Sequence, residues 1–318
     1  MKNLNPKILC ITPIKHLNGV YQKLSEFGEI IYMPNISKVE LKDFLKNNTI
    51  HYLFTNPNKQ GFILDKEVLK YGGVRVINTC STGLNHIDTS YCKKNNIDVW
   101  SLTTDFELIN DLPSTSELAF GLMLSLLRNI SRSFDNVKEG YWDYEPYIGH
   151  QIKGLTIGII GYGRLGTIMK KLFEGWGVKI LVNDPYKDCD GCHKVSKKDL
   201  LKSSDVVFLH VHVTDETREM VNDSFLSLMK KNSYLINTSR GELVDEQAII
   251  KFIKNGHLKG YGTDVIRDEF GEAESSELVK FSHKNNVIIT PHVGGMTIEG
   301  QTKAYMWAVS KFKDVSCK

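Results

Sequence analysis

Two clusters of residues in this chain have the types and spacing to do chemistry. Cys189, Cys192 and His193 stand in "CDGCH" (189–193), the arrangement in which two thiols bond a porphyrin and an imidazole takes its iron. Gly161, Gly163 and Gly166 stand in "GYGRLG" (161–166), the spacing of a turn that holds a dinucleotide pyrophosphate. Which reading holds depends on the elements around each cluster.

The glycine turn has the surroundings it needs. It follows the apolar run "LTIGII" (155–160), opens a helical stretch (164–175), and is followed by "KILVN" (179–183), which ends at Asp184. Gly161 permits the tight turn, Gly163 lets a pyrophosphate approach the backbone, and Gly166 lets helix and strand pack closely. The amides of Arg164 and Leu165 then face the phosphates with the helix dipole behind them. Asp184 stands where a carboxylate accepts both ribose hydroxyls and repels a 2′-phosphate, which favours NAD over NADP; Lys187 nearby softens that preference. The plainer alternative is a tight βα turn with no ligand.

That placement bears on the other motif. "CDGCH" falls in the loop after Asp184, at the adenosine edge of the expected cofactor site, where a porphyrin would collide with the adenine pocket. Two loop thiols and a surface imidazole remain, with adventitious zinc as the alternative.

The elements that must position these residues recur along the chain. Apolar runs at 7–11, 29–33, 51–55, 74–79 and 97–102, and again at 155–160, 179–183, 205–210, 233–238, 259–265 and 286–290, predict strands separated by helical stretches. Such alternation implies two doubly wound α/β units with parallel sheets. Between them, 117–127 is nearly all apolar and predicts a buried helix. Forty basic and thirty-seven acidic side chains leave a net charge of +3, too balanced to argue for nucleic acid or an anionic membrane. No apolar run at the N-terminus is long enough for a secretory signal, and 118–127 is too short to span a bilayer. A cytoplasmic protein is expected, with its six irregularly spaced cysteines as reduced thiols.

Further motifs complete the pattern: "STGLNHID" (81–88), "HVHVTDETREMVN" (210–222), "NTSRGELVDEQAI" (237–249), "GTDVIRDEF" (262–270) and "TPHVGGMT" (290–297). With the glycine turn they resemble the D-2-hydroxyacid dehydrogenase family, from about residue 70 to the C-terminus. The resemblance implies a Rossmann NAD-binding domain (105–292) inserted into a discontinuous flavodoxin-like substrate domain (1–104 and 293–318). It implies that Arg240 grips a 2-oxo acid and polarises its carbonyl, which a guanidinium at a strand's carboxyl edge suits. His292 would move the proton, and Glu269 would hold its other ring nitrogen and raise its pKa. By the same resemblance Asp264 binds the nicotinamide carboxamide. Val211, Thr217, Thr238, Ser239, Gly294 and Gly295 line the cofactor. Ser81, Thr82 and Gly83 bind the substrate carboxylate, with Thr82 near nicotinamide.

The chain departs from the family pattern at Phe270 and His212, where Pro is usual, and 103–117 is long. His210 and His212 lack a further ligand at metal spacing, so no metal is expected. The implied reaction is NAD-dependent hydride transfer to or from a D-2-hydroxy/2-oxo acid, such as hydroxypyruvate, glyoxylate, pyruvate or 3-phosphoglycerate. A phosphorylated acid would need a cation such as Lys59. Gln usually replaces Glu269 in the related formate dehydrogenases, so formate is disfavoured; phosphite stays open. An NAD(H)-sensing corepressor-like binding protein of the same fold is the alternative function. The resemblance also implies a homodimer through the helix 117–130 and the aromatic loop "YWDYEPY" (141–147), whose dense aromatics would suit an interface, with no additional regulatory domain expected.

Overall fold

The computed structural model describes residues 6–57, 61–189, 191–269 and 273–314. Two fully parallel sheets organise the chain. The first contains β1 (Lys7–Cys10), β2 (Glu29–Tyr32), β3 (Tyr52–Thr55), β4 (Val76–Thr79) and β5 (Asp98–Trp100), in the order β2-β1-β3-β4-β5. The second contains β6 (Thr156–Ile160), β7 (Lys179–Asn183), β8 (His193–Lys194), β9 (Val206–Leu209), β10 (Ser233–Asn237), β11 (Leu258–Thr263) and β12 (Val287–Ile289). Their order is β12-β11-β10-β9-β6-β7-β8. These are the flavodoxin-like and Rossmann orders, and in the second the strand order reverses between β6 and β9, where such sheets bind ligands.

The second sheet shows why its strands read as continuous apolar runs. β9 and β10 are buried at every position, as expected of strands covered on both faces. Side chains alternate between two cores. Val207, Leu209 and Leu235 enter one with Leu243, Ile249 and Phe252, while Val206, Phe208, Tyr234 and Ile236 enter the other. The second core is closed by the helix Ser114–Leu127 through Ala119, Leu122, Met123, Leu126 and Leu127. That helix comes close because β11 presents Gly262, whose missing Cβ would sit 3.1 Å from Leu126 Cδ1. Leu126 is fully buried, so Leu126→Ala would cost about 2–5 kcal/mol by leaving a cavity.

Each predicted strand is present, and β8 is added by a short edge pairing of His193 and Lys194 with Leu181 and Val182. The helix expected over 117–130 starts earlier and stops at Leu127. Asn129 then takes a left-handed φ of 52° before a second helix, Ile130–Lys138. The chain divides into Met1–Leu112 with Thr297–Lys318, and Pro113–Met296, whereas the sequence places the changes at 104/105 and 292/293. The short helix Phe106–Ile109 explains the first difference: its Leu108 and Ile109 enter the core of the first unit. No helix among the described residues is long and apolar enough to cross a membrane.

Candidate active site

The glycine turn joins β6 to the helix Arg164–Leu172. Gly161 has φ 91°, and a Cβ there would fall on the His210 carbonyl and 2.9 Å from Val211 Cγ1. A Cβ on Gly166 would overlap the Gly161 carbonyl oxygen and lie 3.3 Å from Ile159 Cγ2. Both glycines are thus required by the protein's own packing. Gly163 is different: a Cβ there would meet no protein atom within 4 Å. As N-cap it has no side chain to occupy the helix's first amides, the property an anion site uses.

Asp184, at the end of β7, is held by three amides. Oδ2 accepts from Tyr162 N at 2.7 Å, and Oδ1 from Tyr186 N at 2.8 Å and Lys187 N at 3.0 Å. Burial pushes its pKa up, but these bonds and the Lys187 charge outweigh that and leave it below the ordinary value. The carboxylate is therefore charged and oriented.

Beyond β9 and β10, Val211 packs beside Gly161. Ser239 Oγ donates to Leu209 O at 2.8 Å, pinning the two strand ends together. The Thr238 hydroxyl is buried without a partner among the described residues, which normally costs free energy. Neither ring nitrogen of His210 has a protein partner either, and burial together with the Arg164 charge pushes its pKa down to about 4. The open approach over Gly163, the uncapped amides, the oriented Asp184 and the orphaned Thr238 hydroxyl fit a dinucleotide at these strand ends.

Arg240 follows directly on this edge. Its Nη1 donates to Ser239 O at 2.6 Å, and its carbonyl accepts from Asn237 Nδ2 at 2.9 Å. In the segments that follow β11 and β12, Glu269 Oε2 and His292 Nδ1 are 2.7 Å apart. The Glu269 hydrogen bond and charge raise the His292 pKa, against burial and the positive charge of Arg240. Glu269 and Arg240 therefore both act electrostatically on His292. His292 has φ 53°, uncommon for a residue with a Cβ, and its amide donates to Asp264 O at 2.9 Å.

The Asp264 carboxylate holds the same turn. Oδ1 accepts from Thr290 Oγ1 at 2.6 Å and Val293 N at 2.8 Å, and Oδ2 from Gly294 N at 2.8 Å. Burial raises the Asp264 pKa against these bonds. A Cβ on Gly294 would sit 3.0 Å from Asp264 Oδ2, while one on Gly295 would meet nothing within 4 Å. Thr290 was not singled out by the sequence. Its place after β12, facing an acid at the end of β11, is visible only once those strands pair.

The other expected residues lie elsewhere or are differently engaged. Ser81, Thr82 and Gly83 form a turn after β4 in the first unit, closed by Ser81 Oγ to Gly83 O at 2.7 Å. Lys59 and Phe270 lie outside the described residues. Thr217 Oγ1 donates to His212 O at 2.6 Å and accepts from Thr214 N at 2.8 Å, so its hydroxyl serves its own turn. Of the cysteines expected as reduced thiols, Cys189 and Cys192 stand within reach of a disulfide, with Cα atoms 5.8 Å apart, because the turn at Gly191 (φ 67°) reverses the chain. Cys10, Cys80 and Cys92 are free and buried. Among the described residues, no group of three or more His, Cys, Asp or Glu is placed to hold a metal ion.

Comparison with known proteins agrees with this geometry. The family of D-isomer specific 2-hydroxyacid dehydrogenases matches through its NAD binding domain at residues 120–294 and its catalytic domain at residues 11–105. A glyoxylate reductase of Thermococcus litoralis is 35% identical over 75% of this chain and 73% of its own. A hydroxypyruvate reductase of Thermotoga maritima is 34% identical over 76% and 78%. The solved D-lactate dehydrogenase of Aquifex aeolicus, complexed with NAD and lactic acid, superposes with a TM-score of 0.79 at 29% identity over 98% of this chain and 95% of that one. The chain thus belongs to the D-isomer specific 2-hydroxyacid dehydrogenases and is an NAD-dependent enzyme of that family.

Proposed function

We propose that the enzyme moves hydride between NAD(H) and C2 of a small, unphosphorylated 2-oxo or D-2-hydroxy acid of the glyoxylate or hydroxypyruvate type. The observation that carries this reading is the 2.7 Å His292–Glu269 pair within electrostatic range of Arg240. NAD, when bound, supplies the hydride acceptor or donor. Arg240 binds the acid and draws electron density from its carbonyl oxygen, which assists reduction. His292, charged through Glu269, gives a proton to the alkoxide as it forms; in oxidation the neutral ring takes it back. Glu269 fixes the ring and its tautomer.

Gly161, Gly163, Gly166 and the amides of Arg164 and Leu165 hold the pyrophosphate, and Asp184 the ribose. Val211, Thr238, Ser239, Asp264, Gly294 and Gly295 line the nicotinamide half. The Ser81–Thr82–Gly83 turn offers main-chain amides to a carboxylate. The relatives named above support small acids, since glyoxylate and hydroxypyruvate occur in their names. A homodimer is part of the same proposal. Trp142, Tyr144 and Ile148 are 92%, 79% and 77% exposed, beside the helix Ile130–Lys138, which buries no residue and calls for a covering surface.

The test is NADH oxidation by purified protein against glyoxylate, hydroxypyruvate, pyruvate and 3-phosphohydroxypyruvate. Glyoxylate or hydroxypyruvate should lead, and Arg240→Ala should lower kcat/KM by at least about a hundredfold. Intact turnover in folded Arg240→Ala would refute the assignment, and preference for the phosphorylated acid would refute the substrate class.

A further inference from the structure

The "CDGCH" motif takes no part in the dehydrogenase reaction, yet it lies in the loop that begins at Asp184. We propose that Cys189 and Cys192 form a reversible dithiol–disulfide site whose oxidation tightens NAD(H) binding by ordering that loop. The inference rests on reading Asp184 as the ribose-binding carboxylate.

The geometry suits reversible chemistry. The Cα separation of 5.8 Å lies within the range a disulfide spans without backbone movement, about 4.4–6.8 Å. Both cysteines are half-buried, and Gly191 and His193 beside them are exposed, so a small disulfide can reach the sulfurs. A Cβ built on Gly191, between the two cysteines, would sit 3.5 Å from Lys170 Nζ, so a cation stands at this turn, and a cation close to a thiol favours the reactive thiolate. The other described cysteines differ. Burial pushes Cys10 up to about 12 and Cys92 up to about 11, leaving them as unreactive thiols.

Coupling to the cofactor is short. The amides of Tyr186 and Lys187 that orient Asp184 Oδ1 belong to the segment that runs directly into Cys189. The far side of the loop is anchored by β8, by Asn183 Nδ2 to Val195 O at 2.9 Å, and by the Lys194–Asp188 ion pair at 2.8 Å. A bond between positions 189 and 192 shortens the free run between these anchors. Opening it gives the segment more conformations to lose when ribose binds.

The exchange balances with oxidised glutathione as oxidant. The Cys189 thiolate attacks one glutathione sulfur, forming a mixed disulfide and releasing one glutathione thiolate. The Cys192 thiolate then attacks the Cys189 sulfur and releases the second. Two electrons pass to glutathione, and the two cysteine protons end on the released thiols.

The test uses the full chain equilibrated in glutathione buffers from fully reduced to fully oxidised. Alkylation and intact mass read the thiols, and NADH fluorescence reads Kd. The expected result is a loss of two alkylatable thiols on oxidation, with NADH Kd about three- to tenfold lower, a fraction of what losing a charged hydrogen bond outright would cost. Cys189→Ser/Cys192→Ser should hold the weaker Kd in every buffer. Persistent alkylation of both thiols in the oxidised buffer would overturn the proposal, as would equal Kd values for the two states of the wild type. Asp184→Ala separates the two readings: weak NADH binding in all buffers supports the ribose assignment whatever the thiols do, and unchanged binding refutes that assignment and the coupling with it.

Discussion

Alanine scanning of the glycine turn separates what the protein needs from what the cofactor needs. At Gly161 a Cβ meets the His210 carbonyl and comes within 2.9 Å of Val211 Cγ1, at φ 91°. Left-handed backbone costs a residue with a Cβ about 1–2 kcal/mol, and overpacking a further 1–3. Gly161→Ala should therefore lose about 2–5 kcal/mol of stability. Gly166→Ala meets the Gly161 carbonyl oxygen and should lose about 1–3 kcal/mol by overpacking alone. Gly163 has φ −72° and nothing within 4 Å of the added carbon, so Gly163→Ala gives up only an N-cap preference of about 1 kcal/mol or less. Its cost should appear instead in NADH affinity, at least about tenfold, because the methyl occupies the pyrophosphate's approach. Urea unfolding and NADH titration on the three variants read both quantities. Equal destabilisation by Gly163→Ala and Gly161→Ala, or an unchanged NADH Kd in Gly163→Ala, would refute the reasoning.

Removing the negative charge in Glu269→Gln takes away what raises the His292 pKa. In reduction His292 must be protonated, so the fall of kcat/KM with rising pH should begin at lower pH than in wild type; an unmoved profile would count against the pair. The pair's contribution to stability has the same sign: full below the ordinary imidazole value of 6.5 and lost as pH rises through the raised folded value. His86 and His210 act oppositely. Burial holds each near 4 against an ordinary 6.5, so stability should fall as pH drops from 6.5 towards 4, by up to about 3 kcal/mol each. Denaturation midpoints across that window should show it, and His86→Gln should remove about half of the slope. Trp142→Glu should convert a sedimenting dimer to monomer without unfolding; an unchanged sedimentation coefficient would refute the interface.

The architecture was legible because its strands are apolar on both faces. "DVVFLH" and "SYLINT" gave β9 and β10 directly, whereas β8 pairs through only His193 and Lys194, polar residues that carry no apolar signal. The resemblance carried by the motifs around them put forward Arg240, Glu269 and His292 as a set. The Asp264 clamp on Thr290, Val293 and Gly294 was hidden, because it depends on β11 lying beside β12. The Cys189–Cys192 contact was also hidden: compartment and irregular spacing argued for free thiols, while the local turn at Gly191 decides the distance between them. The end of the helix Ser114–Leu127 at Asn129 reflects a left-handed residue, a conformation that asparagine tolerates but does not announce.

The left-handed backbone at His292 determines how the histidine can be replaced. Asp264 holds that conformation from two sides, through its carbonyl at the His292 amide and its carboxylate at the next two amides. The position is a mould for its occupant. Asparagine enters left-handed backbone most readily among residues with a Cβ, and β-branched side chains do so least. His292→Asn therefore deletes the imidazole and keeps the turn, whereas His292→Val distorts Val293 and Gly294 together with the lost ring. Any directed-evolution library at this site will be filtered by backbone shape before it is filtered by chemistry.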